Sequence, residues 1–440
     1  MPILPVLLLF CCLLSSPFKA LATPDLSHEA LIPSSVAPSV ARPVTLVEVV
    51  AQALAHSPRL LAAHKGTLAA RGELDQAGAW PNPEIGTGVE NFAGSSSYRS
   101  FDSAEINYGV SQQIPLTGKI SAREAIASAA LAAATIEEEA VRQDIIRDTT
   151  IAFMTAAAAE AQVEIAREQK DLAADILQTV SRRVSAAAAP LIQKSRSEVE
   201  NASAVLALDK AHRERDTARQ ALAAVVGIER FEAPIARDAF YAISKPDALP
   251  AVRQIDHSID SQRESYALAQ ARAQIELEQA NALPDPRFSL GVREFQSTGD
   301  RAVLFSVDLP IPVLDSNSGN IEKARQGALR TEFDHKQARL DRTTGLARAH
   351  ARLMRSYVEA TTLKSSILPS ANQAFRLSRD GYAAGRFPYL EVLDAQRSLF
   401  VARQQEIETL RDFHIAQAEV ARLLSEAKHA PLQVGEYDAE

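Results

Sequence analysis

AWPNPEIGTGVEN, residues 79–91, ends a long alanine-rich run, and ALPDPRFSLGVRE at 282–294 closely resembles it. The prolines of the two copies correspond, 203 positions apart (284 − 81): Pro81 with Pro284, and Pro83 with Pro286. In each copy a helical pattern stops at the prolines, because proline breaks a helix and disfavours helical backbone in the residue before it. A short segment of alternating apolar and polar residues follows. The pattern predicts two copies of one unit, each with a helix, a stop and a strand.

The repeat extends over most of the chain. Pro190 and Pro388 are 198 positions apart (388 − 190), and a long charged, alanine-bearing helical pattern follows each of them. We therefore expect six segments: a signal peptide at 1–22, an extended segment at 23–44, a first repeat at 45–227, a linker at 228–250, a second repeat at 251–430 and a tail at 431–440.

Composition narrows the class of protein. Glycine is scarce, with 17 of 440 residues, and hydrophobic residues reach 46%, much of it alanine, which favours long helices over a β-rich or disordered chain. The formal net charge of −8 argues against nucleic-acid binding, since neutralising phosphates needs a basic surface.

The N-terminus is typical of a secretory signal. Residues 3–16 are apolar, and Ala20-Leu21-Ala22 supplies the small residues of a cleavage site. A membrane-anchoring helix is the alternative, but the apolar run is short for a bilayer span. Cys11 and Cys12 both lie inside the signal, so we expect a mature chain without disulfides or cysteine-bound metal.

Helical patterns occupy most of the remaining chain. Thr45 and Glu48 have the spacing of a capping box at the start of a helix over 45–79. Residues 119–189 contain neither glycine nor proline, and a helix of that length rises roughly 100 Å. Such length predicts a coiled coil or a helical tube. The other predicted helices cover 191–226, 251–283, about 320–380 and 389–430.

Two strands are predicted after each proline stop, at 84–91, 106–114, 287–293 and 303–311. Apolar and polar residues alternate along them, which gives one apolar and one polar face. The polar face includes Asn107, Ser111, Gln113, Ser289, Arg293 and Asp308. This pattern fits either a half-buried hairpin on a helical core or a sheet between lipid and water. Four strands cannot close a barrel, and lipid does not tolerate open edges, so a membrane sheet requires several subunits.

Three ordered motifs carry a family resemblance: QAGAWPNPEIGTGVEN (76–91), SQQIPLTGKISAREAIASA (111–129) and GYAAGRFPYLEVLDAQRSLFVAR (381–403). The chain resembles the TolC-type outer-membrane efflux channels over roughly residues 45–430. The motifs look like those of the CzcC-like branch, which serves heavy-metal RND pumps. The chain has Thr117 and Ala187 at positions where that branch carries glycine.

The resemblance implies a mainly α fold with a small β part. Long antiparallel helical hairpins would form an α-barrel tube in the periplasm. Four strands per chain would contribute to a trimeric, twelve-stranded transmembrane β-barrel in the outer membrane. Each proline stop would be a helix-to-barrel junction, repeated because each half of the chain supplies one hairpin.

The resemblance also implies which residues form the pore gate and the docking surface. Glu391 and Asp394, three positions apart at a helix start, would line the pore gate at the periplasmic entrance. Acidic residues in a first helical turn are also commonly simple solvated caps. The tips of the two hairpins would dock a periplasmic membrane-fusion (adaptor) protein beneath an inner-membrane RND pump. The tip residues concerned are Ala187, Pro190, Tyr382, Gly385 and Arg386.

The sequence contains no pattern that predicts a catalytic site, a cofactor or a metal site, because its histidines are scattered and no nucleophile–base pairing or phosphate loop occurs. We expect an exit duct, with a duct for drugs or type I secretion as the alternative. A periplasmic coiled-coil scaffold without a pore, or an enzyme, would be a different class.

Overall fold

The computed structural model describes residues 42–116, 118–249 and 252–426. The expected signal peptide with both cysteines, the extended segment as far as residue 41, Thr117, Pro250 with Ala251 at the start of the second repeat, and the chain from residue 427 onward lie outside these ranges.

The four predicted strands form one antiparallel sheet in the order β1-β2-β3-β4. They are β1 Glu84–Glu90, β2 Glu105–Gln113, β3 Arg287–Phe295 and β4 Arg301–Asp308. β4 ends three residues earlier than predicted, because Pro310 and Pro312 cannot donate to a strand ladder. The central pair, β2 and β3, joins the two repeats, and β1 and β4 are the edges of the sheet.

Ten α-helices lie within the described ranges. They are α1 Leu46–His56, α2 Pro58–Ala77, α3 Lys119–Ser185, α4 Leu191–Val226, α5 Asp238–Tyr241, α6 Val252–Asp256, α7 Ile259–Asn281, α8 Ser318–Thr362, α9 Leu368–Ala383 and α10 Tyr389–Leu423. None of them is both long enough and apolar enough to cross a lipid bilayer.

The first helix of each repeat is shorter than predicted, because it is interrupted. In the first repeat Pro58 starts a new helix, and Ser57 before it has extended backbone. In the second repeat Ser258 interrupts, and its hydroxyl accepts the backbone N–H of Ser261 as an N-cap. The capping box is confirmed: Thr45 accepts from Glu48 N–H, and Glu48 accepts from Thr45 N–H.

α3 runs without interruption for 67 residues, and its equivalent in the second repeat does not. α8 continues through one turn of π-helix, Leu363–Ile367, into α9. Pro369 explains the wider turn, since it has no N–H for the carbonyl four residues earlier and its ring would clash there. The helical pattern over about 320–380 thus predicts this helix, but it does not predict the π-turn.

Residues 228–249, the described part of the predicted linker, are packed rather than loose. Phe231, Ile235 and Phe240 are buried in the largest core cluster together with Phe153 of α3. Val44 and the segment exchange two backbone hydrogen bonds, from Val44 N–H to Pro234 O and from Ala236 N–H to Val44 O. Three large apolar side chains within a proline-rich stretch signal this packing, because burying them removes apolar surface from water.

Candidate functional site

The apolar face of the sheet is exposed. Ile85 is 85% exposed, Val303 75% and Phe305 69%, and these side chains share the face with Leu290 and Tyr108. A hairpin resting on a helical core would bury this face, so the half-buried interpretation is wrong. An apolar surface of this extent indicates contact with another protein or with lipid.

The predicted polar residues lie together on the opposite face. At the end of the sheet away from the helices, Arg293 donates to Asn107 Oδ1 at 2.8 Å and to Glu105 Oε2 at 2.7 Å. Its guanidinium also lies 3.6 Å from Glu90, and Asn107 donates to Glu90 at 3.1 Å. This network ties three strands together on the polar face. Asn107 and Arg293 were predicted for this face, whereas Glu105 was not.

At the end near the helices the same face carries a second ion pair. Arg287 pairs with Glu84 across β2, and its strand neighbours are Gln113 and Asp308. Between the two ion pairs runs a row of directly facing small residues: Ser111, Ser289 and Ser306. All six polar residues expected to line the barrel lumen therefore share one face with four further charged residues.

A row of glycines crosses the polar face beside the serines. Gly86, Gly109 and Gly291 face one another on β1, β2 and β3, and Leu304 of β4 completes the row. A Cβ on Gly291 would meet Tyr108 O at 2.7 Å, so this position tolerates only glycine. The missing side chains leave a concave surface.

Each helix ends before its prolines rather than at them. α2 ends at Ala77 and α7 at Asn281, and the strand begins directly after the second proline in both repeats. The two proline pairs, Pro81 with Pro83 and Pro284 with Pro286, therefore lie in the turn from helix to strand, on its strand side.

A buried ion pair at the second junction was missed by the sequence analysis. Lys119, the first residue of α3, donates from Nζ to Asp285 Oδ1 at 2.8 Å and also to Leu283 O. The two side chains are only 13% and 12% exposed. Asp285 also accepts from Leu116 N–H and from Gln113 Nε2. Burial alone would raise the pKa of Asp285, but these hydrogen bonds lower it overall.

The second repeat fastens its helix start differently. Asn317, the N-cap of α8, adopts the left-handed conformation with φ 59°, as Gly118 does before α3 with φ 73°. Its amide donates to Glu278 O and to Glu278 Oε2, at 2.8 and 3.0 Å. Neutral amide hydrogen bonds thus replace the ion pair of the first repeat.

The two hairpin tips share one backbone design. Ala187 and Gly385, 198 positions apart (385 − 187), both have positive φ, at 51° and 71°. In each tip the following N–H bonds back to a carbonyl five residues earlier, from Ala188 to Arg183 and from Arg386 to Gly381. A proline then caps the next helix. Ala187 thus holds a conformation that favours glycine.

The tip residues differ in exposure. Ala187, Pro190, Gly385 and Arg386 are exposed, as expected for a docking surface. Tyr382 is buried, which corrects its assignment to that surface.

Tyr382 instead joins the two hairpins. The Arg183 guanidinium lies 4.7 Å from its ring centroid and donates to its carbonyl at 2.8 Å, and its hydroxyl donates to Gln193 at 3.3 Å. Burial raises the pKa of the neighbouring Tyr389 to about 12, so that side chain stays a neutral phenol.

Glu391 and Asp394 are both exposed in the first turns of α10. Within the part of the chain that the structure describes, neither carboxylate forms an ion pair or a side-chain hydrogen bond. The residues between them, Val392 and Leu393, are buried. Two unpaired carboxylates therefore project from the exposed side of α10, next to the tip.

Among the described residues, no group of three or more His, Cys, Asp and Glu side chains could hold a metal ion. Five histidines instead have hydrogen-bond partners within the chain: His56 with Gln52 O, His64 with Glu138, His335 with Glu264, His350 with Asp247 O and His414 with Phe240 O.

Most of this chain matches a known protein family. The profile of the family "Outer membrane efflux protein" matches residues 49–228 and 256–426. The cobalt-zinc-cadmium resistance protein CzcC of Cupriavidus metallidurans is 32% identical over 387 residues, covering 87% of this chain and 90% of that protein. The nickel-cobalt-cadmium resistance protein NccC of Alcaligenes xylosoxydans xylosoxydans is 26% identical, covering 70% and 69%.

The fold has solved counterparts. One counterpart is a crystal structure of CusC that concerns its folding and transmembrane channel formation. It superposes on this chain with a TM-score of 0.75 at 18% identity, covering 90% of this chain and 96% of that one. The outer membrane protein VceC of Vibrio cholerae superposes with a TM-score of 0.70 at 19% identity, covering 87% and 96%.

Proposed function

This chain belongs to the outer membrane efflux protein family, and from that premise we propose that it is the exit duct of a tripartite RND-type efflux system for heavy-metal cations. The duct is a homotrimer. Its β-barrel crosses the outer membrane, and its helices continue the barrel as a tube in the periplasm.

One observation carries this proposal: an open four-stranded sheet with an exposed apolar face and an ion-paired polar face. Each unpaired backbone group in hydrocarbon costs several kcal/mol, so β1 and β4 need strand partners in a membrane. Three copies supply twelve strands, the apolar face turns to lipid, and the charged face lines a wet lumen.

The cargo is inferred from relatives and from charge. CzcC and NccC are named for resistance to cobalt, zinc, nickel and cadmium. In a trimer, Glu391 and Asp394 form two rings of three carboxylates at the periplasmic entrance. Such rings attract cations and repel one another, which suits a gate for cationic cargo. The channel needs no bound metal of its own and no catalytic group.

The partners follow from the tips. The exposed residues Ala187, Pro190, Gly385 and Arg386 present the docking surface for a periplasmic adaptor protein, which connects the duct to an inner-membrane RND pump. The tips are where the two hairpins of one chain meet, through Arg183 and Tyr382, so an adaptor bound there contacts both repeats.

A duct for drugs or for type I secretion is the nearest alternative, and the names of the similar curated proteins disfavour it. A pore-free periplasmic scaffold is less consistent still, because such a rod has no use for the exposed apolar face of the sheet. An enzyme would need a catalytic cluster, and the proposal assigns none.

Reconstitution in planar bilayers tests the proposal directly. We expect the purified trimer to give discrete conductance steps, and a strain lacking the protein to become sensitive to cobalt, zinc or cadmium. Sensitivity to dyes and antibiotics alone would transfer the protein to the multidrug class. A water-soluble monomer without conductance would overturn the proposal altogether.

A further inference from the structure

The strand pairing between subunits can be derived from a strand pairing inside the chain. We call the pairing of β2 with β3 the internal seam, and the pairing between strands of neighbouring subunits the subunit seam. β2 belongs to the first repeat and β3 to the second, so their pairing is a hairpin-to-hairpin contact. In the proposed trimer the only other contact of this kind joins β4 of one subunit to β1 of the next, because β1 and β4 are the sheet edges. This inference rests on the proposed function and adds the residue register of the subunit interface.

The strands of the two repeats correspond residue by residue. Glu84 faces Ser111 in the first hairpin and Arg287 faces Asp308 in the second. The proline offset of 203 positions relates Glu84 to Arg287 (287 − 84), so Asp308 takes the place of Ser111, 197 positions later (308 − 111). The two offsets convert each pair of the internal seam into one pair of the subunit seam.

We propose that Asp308 faces Gly86 of the partner subunit, and that Ser306 faces Gly88 of the partner subunit. The first pair is equivalent to Ser111 facing Ser289 in the internal seam, and the second pair is equivalent to Gly109 facing Gly291. The partner is a second copy of this chain, and the recognising chemistry is backbone hydrogen bonding along the two open edges.

The register passes two independent checks. Lumen-facing residues of β4 meet lumen-facing residues of β1, and lipid-facing residues meet lipid-facing ones, as the two-residue period requires. A one-residue slip would bring Phe305 and Val307 to the polar face. Gly88 also takes the place of Gly291, where a Cβ would meet a backbone carbonyl oxygen at 2.7 Å, so the register accounts for a glycine at position 88.

The second check is closure of the barrel. Following paired residues from Glu84 through Ser111, Ser289 and Ser306 leads to Gly88 of the partner subunit, four residues along β1 (88 − 84). Three subunits accumulate a stagger of twelve residues (3 × 4). Over twelve strands spaced about 4.8 Å apart, that stagger gives a strand tilt of about 35°, which agrees with the tilt of closed barrels.

Hydrogen-bonded and non-hydrogen-bonded residue pairs alternate along the internal seam, and the non-hydrogen-bonded pairs lie closer together. Ile114 N–H donates to Pro286 O and Gln296 N–H to Ala104 O, so hydrogen-bonded pairs occupy the even positions of β2. Ser111 and Asn107 therefore belong to non-hydrogen-bonded pairs, whose Cα atoms approach to about 4.5 Å. Their equivalents, Asp308 and Leu304, inherit this spacing, which lies within the reach of a disulfide.

Four cysteine substitutions in a two-by-two design test the register: Gly86→Cys, Glu90→Cys, Leu304→Cys and Asp308→Cys. The pairs L304C with E90C and D308C with G86C match the register, being equivalent to Asn107 facing Arg293 and to Ser111 facing Ser289, whereas L304C with G86C and D308C with E90C are displaced by four residues. Each substitution occurs once in a matched and once in a displaced pair, so a folding defect cannot produce the pattern. Variants with one cysteine control for other thiols.

Mild oxidation of the reconstituted trimer should convert the matched pairs to a covalent trimer on non-reducing gels, at least tenfold faster than the displaced pairs. Within one chain β1 and β4 are three strand spacings apart, about 14 Å, so only a neighbouring subunit can supply the bond. Matched pairs that crosslink no faster than displaced pairs in a conducting trimer would overturn this register and leave the proposed function intact. A chain that neither conducts nor assembles would contradict the proposed function itself.

Discussion

The long helices are held in contrasting ways at their two ends. At the sheet end, where helix passes into strand, Lys119 and Asp285 form an almost fully buried ion pair, and Asn317 fastens the second helix start to Glu278. At the tip end the chain turns through Ala187 in an unfavourable conformation, and the carboxylates of Glu391 and Asp394 have no protein partner among the described residues. The difference indicates a fixed sheet end and a tip end left free to rearrange or bind.

The largest expected effect comes from breaking the fixed end. Lys119→Met leaves the carboxylate of Asp285 buried without its cation, which should cost about 3–5 kcal/mol of stability. Heat and urea resistance of the detergent-solubilised trimer would measure the loss. The double variant Lys119→Met with Asp285→Asn removes both charges and should recover most of it. An unchanged melting curve for the single variant would mean that the ion pair contributes nothing.

The same pair makes stability depend on pH. The folded pKa of Asp285 is depressed, so its contribution is complete above the pKa of the unfolded chain and is lost as pH falls through the folded value. We expect the trimer to lose stability on acidification below about pH 4, and the double variant to lose less. Parallel melting curves at neutral and acid pH would check this.

The second-largest expected loss of stability distinguishes the apolar face of the sheet from its polar face. Val307→Arg places a charge on the apolar face and should cost roughly 2–4 kcal/mol if that face meets mid-membrane lipid. Ser289→Arg, on the polar face, should be far milder. Refolding yield into lipid vesicles and urea titration give both values. Equal damage from the two variants would show that the faces are assigned to the wrong sides.

At the tips the expected effects are smaller and opposite in sign. Gly385→Ala should destabilise by about 1 kcal/mol, because a Cβ there meets no atom within 4 Å and only the positive φ opposes it. Ala187→Gly relieves the same strain and should stabilise by about 0.5–1 kcal/mol, less the greater entropy of glycine in the unfolded chain. Paired melting curves suffice, and two shifts of the same sign would refute the shared design of the tips.

The smallest effect on stability is expected from the acids next to the second tip. Glu391→Gln with Asp394→Asn keeps shape and removes both proposed rings, so stability should be unchanged or slightly higher. Single-channel cation selectivity should fall, and block by multivalent cations added from the periplasmic side should weaken. Conductance, selectivity and block equal to the parent would show that the two carboxylates are solvated helix caps.

The sequence alone predicted the elements that carry local signals. Thr45 with Glu48 marked a helix start, and Pro190 with Gly227 bounded α4 to the residue, because capping chemistry and proline act within one turn. Alternation gave all four strands and the residues of each face. The same local reasoning overlooked Pro58 as the start of a new helix.

What the sequence could not reveal depends on contacts between distant positions. Lys119 and Asp285 are 166 positions apart, and nothing in either neighbourhood names the other as its partner. Phe231 and Phe240 looked like linker residues because prolines surround them, although their burial against α3 decides their place. Tyr382 was assigned to the docking surface of its tip, because its contact with Arg183 of the other hairpin leaves no sign in the sequence around either residue.

The central seam of the sheet also governs the order of folding. Ser111 and Ser289, which face each other there, are 178 positions apart (289 − 111), whereas the helices of each hairpin are sequence neighbours. Closing so large a loop is slow compared with forming local helices. We therefore expect the helical hairpins to form early and the sheet last. Until the second repeat arrives, the hairpin of the first repeat exposes Ile85 and an unpaired edge, a state that invites aggregation and calls for a chaperone during export.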